Sequence, residues 1–244
     1  MEKEPVIKFD KVTKIFESMT GNAVDGISFD IYPGEFITIL GSSGSGKTTT
    51  LKMINRLIDP DKGDIFINGE NIASQDAVEL RKHIGYVVQQ IGLFPHMKVG
   101  ENISVVPKLL NWDSERISKR VDELLDLVGL SPEEYRRRYP RELSGGQQQR
   151  IFLARAFAQQ PRVLLMDEPF NAVDLTTEKI ILDSLHEFHK QGVTTLVVTH
   201  DLTIARDHFE KILLLNDREI EYGDAKELLV REKIEQVYGK RSAF

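Results

Sequence analysis

The chain has 244 residues, enough for one large domain or two small ones, and its 41% hydrophobic and 29% charged residues suit a sizeable core. Its 32 basic and 38 acidic residues give a net charge of −6, which argues against nucleic acid as the main partner, and the lack of cysteine excludes disulfides, thiolate zinc sites and thiol nucleophiles. The N-terminal MEKEPVIKFD lacks the basic-then-apolar layout of a secretory signal, and no apolar run approaches the roughly 20 residues that a membrane span needs.

In chain order, apolar runs mark strands at VIKF (6–9), ISFDI (27–31), FITIL (36–40), IFIN (65–68), VLLM (163–166), TTLVVT (194–199) and KILLL (211–215). The first three carry polar residues and turn punctuation such as YPGE (32–35), and read as antiparallel. The later runs are continuous, which suggests central parallel strands buried on both faces. Between about 91 and 158 the pattern turns helical. Asp113 can cap a helix with the apolar face Ile117, Val121, Leu124, Leu125 and Val128, ended by Gly129. In SPEE (131–134), Ser131 is the expected N-cap, with Pro132 in the first turn and Glu134 completing a capping box. The expectation is one α/β domain. Its core, about 1–90 and 159–244, has a parallel central sheet with an antiparallel β edge, and a helical subdomain is inserted at about 91–158.

Chemistry enters at FITILGSSGSGKTTTL (36–51), a strand, a glycine-rich turn and a helix start. Gly41, Gly46, Lys47 and Thr48 match the G-x-x-x-x-G-K-[ST] phosphate loop of the P-loop NTPase core. Its glycines let the backbone wrap closely enough for N–H groups to form an anion nest. The expected nucleotide contacts are Gly41, Ser42, Ser43, Gly44, Ser45, Gly46, Lys47, Thr48 and Thr49. Lys47 can bridge the β- and γ-phosphates, and Thr48 can place its hydroxyl on Mg²⁺. In RVLLMDEP (162–169) a buried strand carries Asp167 to its carboxyl end, where it would hold Mg²⁺ through water. Glu168 beside it is placed to orient or deprotonate the attacking water. No guanine-reading NKxD stretch lies in the expected place, which favours ATP. Phe16 could stack on the adenine, although a lone phenylalanine is more often a core residue.

A second glycine-rich stretch, LSGGQQQR (143–150), precedes apolar positions Ile151, Leu153, Ala154, Phe157 and Ala158, which imply a helix beginning near Gly146. Ser144, Gly145, Gly146 and Gln147 then sit at the positive end of that helix, where a γ-phosphate is favoured. A chain that already wraps its phosphates with the first loop has no need of this one. A head-to-tail dimer resolves the redundancy, each subunit closing its second site over ATP held by the other.

With LSGGQ at 143–147 the chain resembles the ATP-binding cassette (ABC) ATPases, and the order of phosphate loop, glutamine, signature, acidic strand and histidine matches that family. The resemblance implies that Gln89 in GYVVQQ contacts Mg²⁺ and links the nucleotide to the helical subdomain. It implies that His200 holds the γ-phosphate and positions Glu168. NAVD (171–174) falls at the dimer-contacting D-loop, where Asp174 is kept but Asn171 and Val173 stand in place of the usual Ser and Leu.

The resemblance also implies a separate integral membrane permease. The apolar cluster Leu93, Phe94, Pro95 and Met97 would lie at the groove for its cytoplasmic helix, the alternative being a small core of the helical subdomain. Stretches such as LKMINRLIDP, HIGYVVQQIGLFPHM and YRRRYPRELSGGQQQR look like ATPases of quaternary-amine importers for glycine betaine, choline or carnitine. NAVDLTTEKI and GVTTLVVTHDL are nearer to generic or metal-importer cassettes. A cassette in DNA repair or translation usually brings a second cassette or a long coiled coil, and a small-molecule kinase has no use for 143–147. The expected protein is therefore a peripheral ATPase on the cytoplasmic face of the cell membrane. It would pair as a homodimer, act with ATP and Mg²⁺, and meet a substrate-binding protein indirectly.

Overall fold

The computed structural model describes residues 4–17, 21–89, 92–216 and 219–238. Two compact units divide them, one formed by 1–80 with 194–244 and the other by 81–193. The first unit begins with β1 (Ile7–Ile15), β2 (Asn22–Ile31), β3 (Phe36–Gly41), α1 (Lys47–Ile54), β4 (Lys62–Ile67) and β5 (Glu70–Asn71). Helix α2 (Ala77–Lys82) leads into the second unit, which holds β6 (Ile84–Val87), α3 (Val99–Leu109), α4 (Ser114–Leu127), α5 (Pro132–Tyr135), α6 (Gly145–Ala158), β7 (Val163–Asp167) and α7 (Leu175–Lys190). The chain then returns through β8 (Thr194–Val198), α8 (Leu202–His208), β9 (Lys211–Asn216), β10 (Glu219–Asp224), α9 (Ala225–Leu228) and α10 (Arg231–Tyr238).

In the first unit β2, β1, β4 and β5 form an antiparallel sheet in that order. Its apolar face is carried by alternate residues, with Phe9 stacked on Phe29 at 4.4 Å between ring centroids. The remaining strands run in the order β10-β9-β3-β8, with β3 parallel to both of its neighbours. Two sequence expectations on strand direction are thereby corrected. FITIL lies in the parallel sheet because every residue of β3 is buried, as a strand covered on both faces requires. Even Thr38 is fully enclosed, its hydroxyl donating to the Val197 carbonyl at 3.1 Å. The YPGE turn before it sets where the strand starts, not its direction. IFIN, expected among the parallel strands, lies in β4, which pairs antiparallel with β1 from Ile7↔Ile67 to Asp10↔Asp64 and has its first three residues, 62–64, exposed.

In the second unit β6 and β7 pair in parallel from Ile84↔Val163 to Val87↔Met166. Asp113 caps α4 as its sequence suggests, its Oδ1 accepting the Arg116 N–H at 2.8 Å. The buried stripe of that helix is Ile117, Val121, Leu124 and Leu125, and Gly129 beyond it takes a φ of 67°. The capping box expected at 131–134 does not form. Ser131 gives its hydroxyl to Glu133 at 2.8 Å, and Glu134 is drawn into an ion pair with Arg138. Helix α6 buries Ile151, Phe152, Leu153, Ala154, Phe157 and Ala158, and Phe157 stacks on Phe188 of α7 at 3.7 Å. Truncating either ring to alanine removes about 3–5 kcal/mol.

Candidate functional site

In the first unit the site grows from the carboxyl ends of two neighbouring parallel strands. Ile39 of β3 is registered with Val198 of β8, so Gly41 and His200 both lie two residues beyond the same rung. From Gly41 the chain turns through Ser42, Ser43, Gly44 and Ser45, with the Ser45 N–H donating back to the Ser42 carbonyl at 3.2 Å. Gly46 takes a φ of 91° to enter α1, and a Cβ there would collide with the Ala23 carbonyl. Lys47 opens the helix with its Nζ donating to the carbonyls of Gly41 at 2.9 Å and Ser42 at 2.7 Å. The ammonium is curled over the loop it belongs to. The Ser45 hydroxyl is buried and makes no hydrogen bond to any described residue, a donor suited to an incoming anion. Thr48 and Thr49 follow in the first turn, both half-buried.

His200 is exposed at the end of β8, and the next residue fixes its backbone. Asp201 gives its N–H to the Thr199 hydroxyl at 3.1 Å and caps α8 by accepting the N–H groups of Thr203 and Ile204. Phe16, just past β1, is half-exposed with the Lys14 ammonium 5.6 Å from its ring centroid, so it is not a core residue.

The second unit repeats the strand-end arrangement. Val87 of β6 is registered with Met166 of β7, so Gln89 and Glu168 stand two residues beyond that rung. The Gln89 Nε2 donates to Glu168 Oε2 at 2.9 Å. Asn171 donates its Nδ2 to the same oxygen at 3.3 Å. Glu168 itself sits in the left-handed region with a φ of 51°, a conformation that costs a non-glycine residue about 1–2 kcal/mol. Asp167 before it is buried at the strand end. Tyr86 of β6 has a buried hydroxyl with no hydrogen-bond partner among the described residues. Burial first, and the Asp167 charge second, push that hydroxyl far above the ordinary tyrosine range.

The signature stretch builds the N-terminus of α6. Ser144 is its N-cap, so the helix starts at Gly145, one residue before the expected start, and the Ser144 Oγ accepts the Gln147 N–H at 3.2 Å while its N–H is given to Gln147 Oε1 at 2.9 Å. Because Ser144 accepts with its oxygen here, its hydroxyl proton is left for another acceptor. The two glycines differ. A Cβ on Gly146 would come 2.6 Å from the Thr177 hydroxyl, whereas one on Gly145 would meet nothing within 4 Å. Gly146 is small to fit its own chain, while Gly145 has no such internal reason.

Asp174 caps α7, accepting the Thr177 N–H at 2.8 Å and its hydroxyl at 3.1 Å, and those hydrogen bonds hold its carboxyl below the usual range. Gln149 Nε2 ties α6 to the Pro169 carbonyl at 3.2 Å. Val173, just before that cap, is half-buried.

The apolar cluster at 93–97 forms a pinned surface loop. Asn102, fully buried, accepts the Phe94 N–H at 2.8 Å and donates to the carbonyls of Phe94 and Met97. Arg155 donates to the Gly92 carbonyl at 2.7 Å with its guanidinium 5.4 Å from the Phe94 ring and 4.6 Å from that of Phe152. Phe94 and Pro95 are exposed, and Leu93 and Met97 half-buried. Sequence reasoning missed Asn102, Arg155 and Tyr86, because an interior amide, a helix-borne arginine and a strand tyrosine carry no motif.

A family model described as ABC transporter matches residues 24–171. The chain is 50% identical over 244 residues to the glycine betaine/carnitine/choline transport ATP-binding protein OpuCA of Bacillus subtilis (strain 168), covering 96% of this chain and 63% of that protein. It is 43% identical to the glycine betaine uptake system ATP-binding protein YehX of Escherichia coli (strain K12), covering 96% of this chain and 77% of that one. The chain thus spans less than two thirds of the length of OpuCA. Among solved structures, the dimeric ATP-binding cassette MJ0796 bound to ADP and Pi aligns with a TM-score of 0.81 and 35% identity, over 90% of this chain and 98% of that one. With a family match over more than half its length and these identities, the chain belongs to the ABC transporter family.

Proposed function

We propose that the protein is the ATP-hydrolysing subunit of a membrane importer for quaternary-amine solutes such as glycine betaine, choline or carnitine. The observation that carries the hydrolytic part is the Gln89–Glu168 hydrogen bond, which fixes a carboxylate at a strand end beside Asp167. Oriented through Oε2 by two amides, the Glu168 carboxylate accepts a proton from the attacking water. The phosphate loop binds ATP through its N–H groups and Ser45, with Lys47 moving from its own loop carbonyls to the phosphates, and Phe16 stacks on the adenine. His200 contacts the γ-phosphate.

The donor set fits Mg²⁺. Thr48 offers a hydroxyl, Asp167 a carboxylate and Gln89 an amide oxygen, its nitrogen being given to Glu168. All are hard oxygen ligands. When bound, Mg²⁺ neutralises charge building on the phosphates.

The open face of Gly145, beside a Ser144 hydroxyl whose oxygen is already an acceptor, supports approach of a second nucleotide from outside the chain. The working form is then a head-to-tail homodimer, with Asp174 and its loop at the contact. MJ0796, similar in fold, is described as dimeric. Among the described residues no helix is long and apolar enough to cross a membrane. A permease supplies the channel, docking a helix on the exposed loop of Leu93, Phe94, Pro95 and Met97, with this subunit on the cytoplasmic face and a substrate-binding protein acting through the permease. The import substrate rests on the names of OpuCA and YehX. Uptake of labelled glycine betaine, choline and carnitine in cells carrying Glu168→Gln tests it. Loss of uptake of all three is expected, and undiminished uptake would contradict it.

A further inference from the structure

The first residue of the phosphate loop is held by a side chain from the far end of the unit. Tyr238 closes α10, and its hydroxyl oxygen accepts the Gly41 N–H at 2.9 Å. Pairing of β3 with β8 has ended at Ile39, two residues earlier, so at Gly41 a side chain takes over where that strand stops. The Tyr238 ring packs against a cluster that includes Leu40, Ile212, Leu214, Leu228 and Val237. Lys233, earlier on α10, pairs with Glu221 of β10. The helix is therefore anchored by an ion pair ahead of the tyrosine and by the cluster its ring joins. Burial raises the Tyr238 hydroxyl pKa, so the group is neutral at physiological pH.

Gly41 is thus gripped at both of its peptide groups. Its carbonyl accepts from the Lys47 ammonium at 2.9 Å, and its N–H is given to Tyr238. When Lys47 turns to the phosphates the carbonyl grip is lost, but the tyrosine grip does not depend on the lysine. We propose that Tyr238 is a positioning residue of the nucleotide site, keeping the start of the phosphate loop in place while Lys47 exchanges its own backbone for ATP. The inference rests on the reading of 41–48 as that site. It gives α10, which carries no motif, a part in nucleotide affinity.

The test titrates a non-hydrolysable ATP analogue with Mg²⁺ into the full chain and into Tyr238→Phe, Val237→Ala and Lys47→Ala, with Tm recorded for each. Tyr238→Phe keeps the ring, so its Tm should fall by no more than about 2–4 °C. Its affinity should weaken about three- to tenfold, as expected for one lost hydrogen bond between neutral groups. Val237→Ala, which loosens the same cluster without touching the bond, should lower Tm at least as much and leave affinity unchanged. If Tyr238→Phe binds like wild type while Lys47→Ala is impaired, the inference fails and the nucleotide reading stands. Equal weakening by Tyr238→Phe and Val237→Ala would also overturn it, since packing alone would then set affinity. Unimpaired binding by Lys47→Ala would overturn the nucleotide reading itself.

Discussion

Gln89 and Glu168, 79 residues apart in the chain, meet through a 2.9 Å hydrogen bond at the ends of two adjacent parallel strands. The bond turns a glutamine with no acid–base chemistry of its own into an orienting group for a carboxylate. Replacing it tests that role. Gln89→Ala should bind ATP with near-normal affinity and hydrolyse it about tenfold more slowly, the scale of one lost charge-assisted hydrogen bond. Steady-state phosphate release with a parallel nucleotide titration checks both halves.

Glu168 carries two separable properties, its carboxylate and its left-handed backbone. Glu168→Gln keeps the shape but cannot accept a proton, so hydrolysis should fall about 10²–10⁴-fold while ATP binding persists. Glu168→Gly and Glu168→Ala both abolish hydrolysis, but only glycine relieves the positive φ. The glycine variant should be more stable than the alanine variant by about 1 kcal/mol in urea unfolding. Equal stability would mean that the backbone there is unstrained.

Asn171 donates to Glu168 at 3.3 Å. A serine hydroxyl is shorter and withdraws that donor. Asn171→Ser should change the hydrolysis rate less than about threefold, because Gln89 still holds the same oxygen. The double variant Gln89→Ala/Asn171→Ser should lose more than the product of the single effects. A strictly multiplicative result would show that the two amides do not share the task.

These partners mark the limit of what was legible in the sequence. The phosphate loop, the Asp113 cap and the buried stripe of α4 were readable because each depends on local spacing alone. The direction of β3 was not, since direction is decided by neighbouring strands more than 150 residues away. Three strands went unread, one of them the two-residue β5. The short β6 runs through Ile84–Val87 with a glycine inside it, and β10, EIEYGD, is half acidic. The contacts of Gln149 and Tyr238 arise from distant backbone brought close, and no motif announces them. The signature glycines were visible as a pair, but only the space around each separates their duties.

That separation is itself measurable. Gly146→Ala gains helix propensity but forces the Thr177 hydroxyl from its bond to Asp174, so a net loss of about 1 kcal/mol is expected. Gly145→Ala meets nothing in its own chain and should leave Tm unchanged or slightly raised. It should nonetheless impair ATP-dependent dimer formation. Chemical denaturation paired with sedimentation in ATP and Mg²⁺ distinguishes the two. Normal dimerisation of Gly145→Ala would remove the external reason for that glycine.

The head-to-tail arrangement is tested most directly by mixed dimers in which Ser144→Arg and Lys47→Ala are distributed in two ways. With one mutation on each chain, both defects fall on a single composite site and the second site stays whole. With both on one chain opposite a wild-type partner, each site loses one element. Filter-bound ATP per dimer, measured in the hydrolysis-deficient Glu168→Gln background, reads the difference. One closed site is predicted for the first arrangement and none for the second. The reverse result, no closed site in the first arrangement and one in the second, would contradict the account, because 143–147 would then be acting within its own chain.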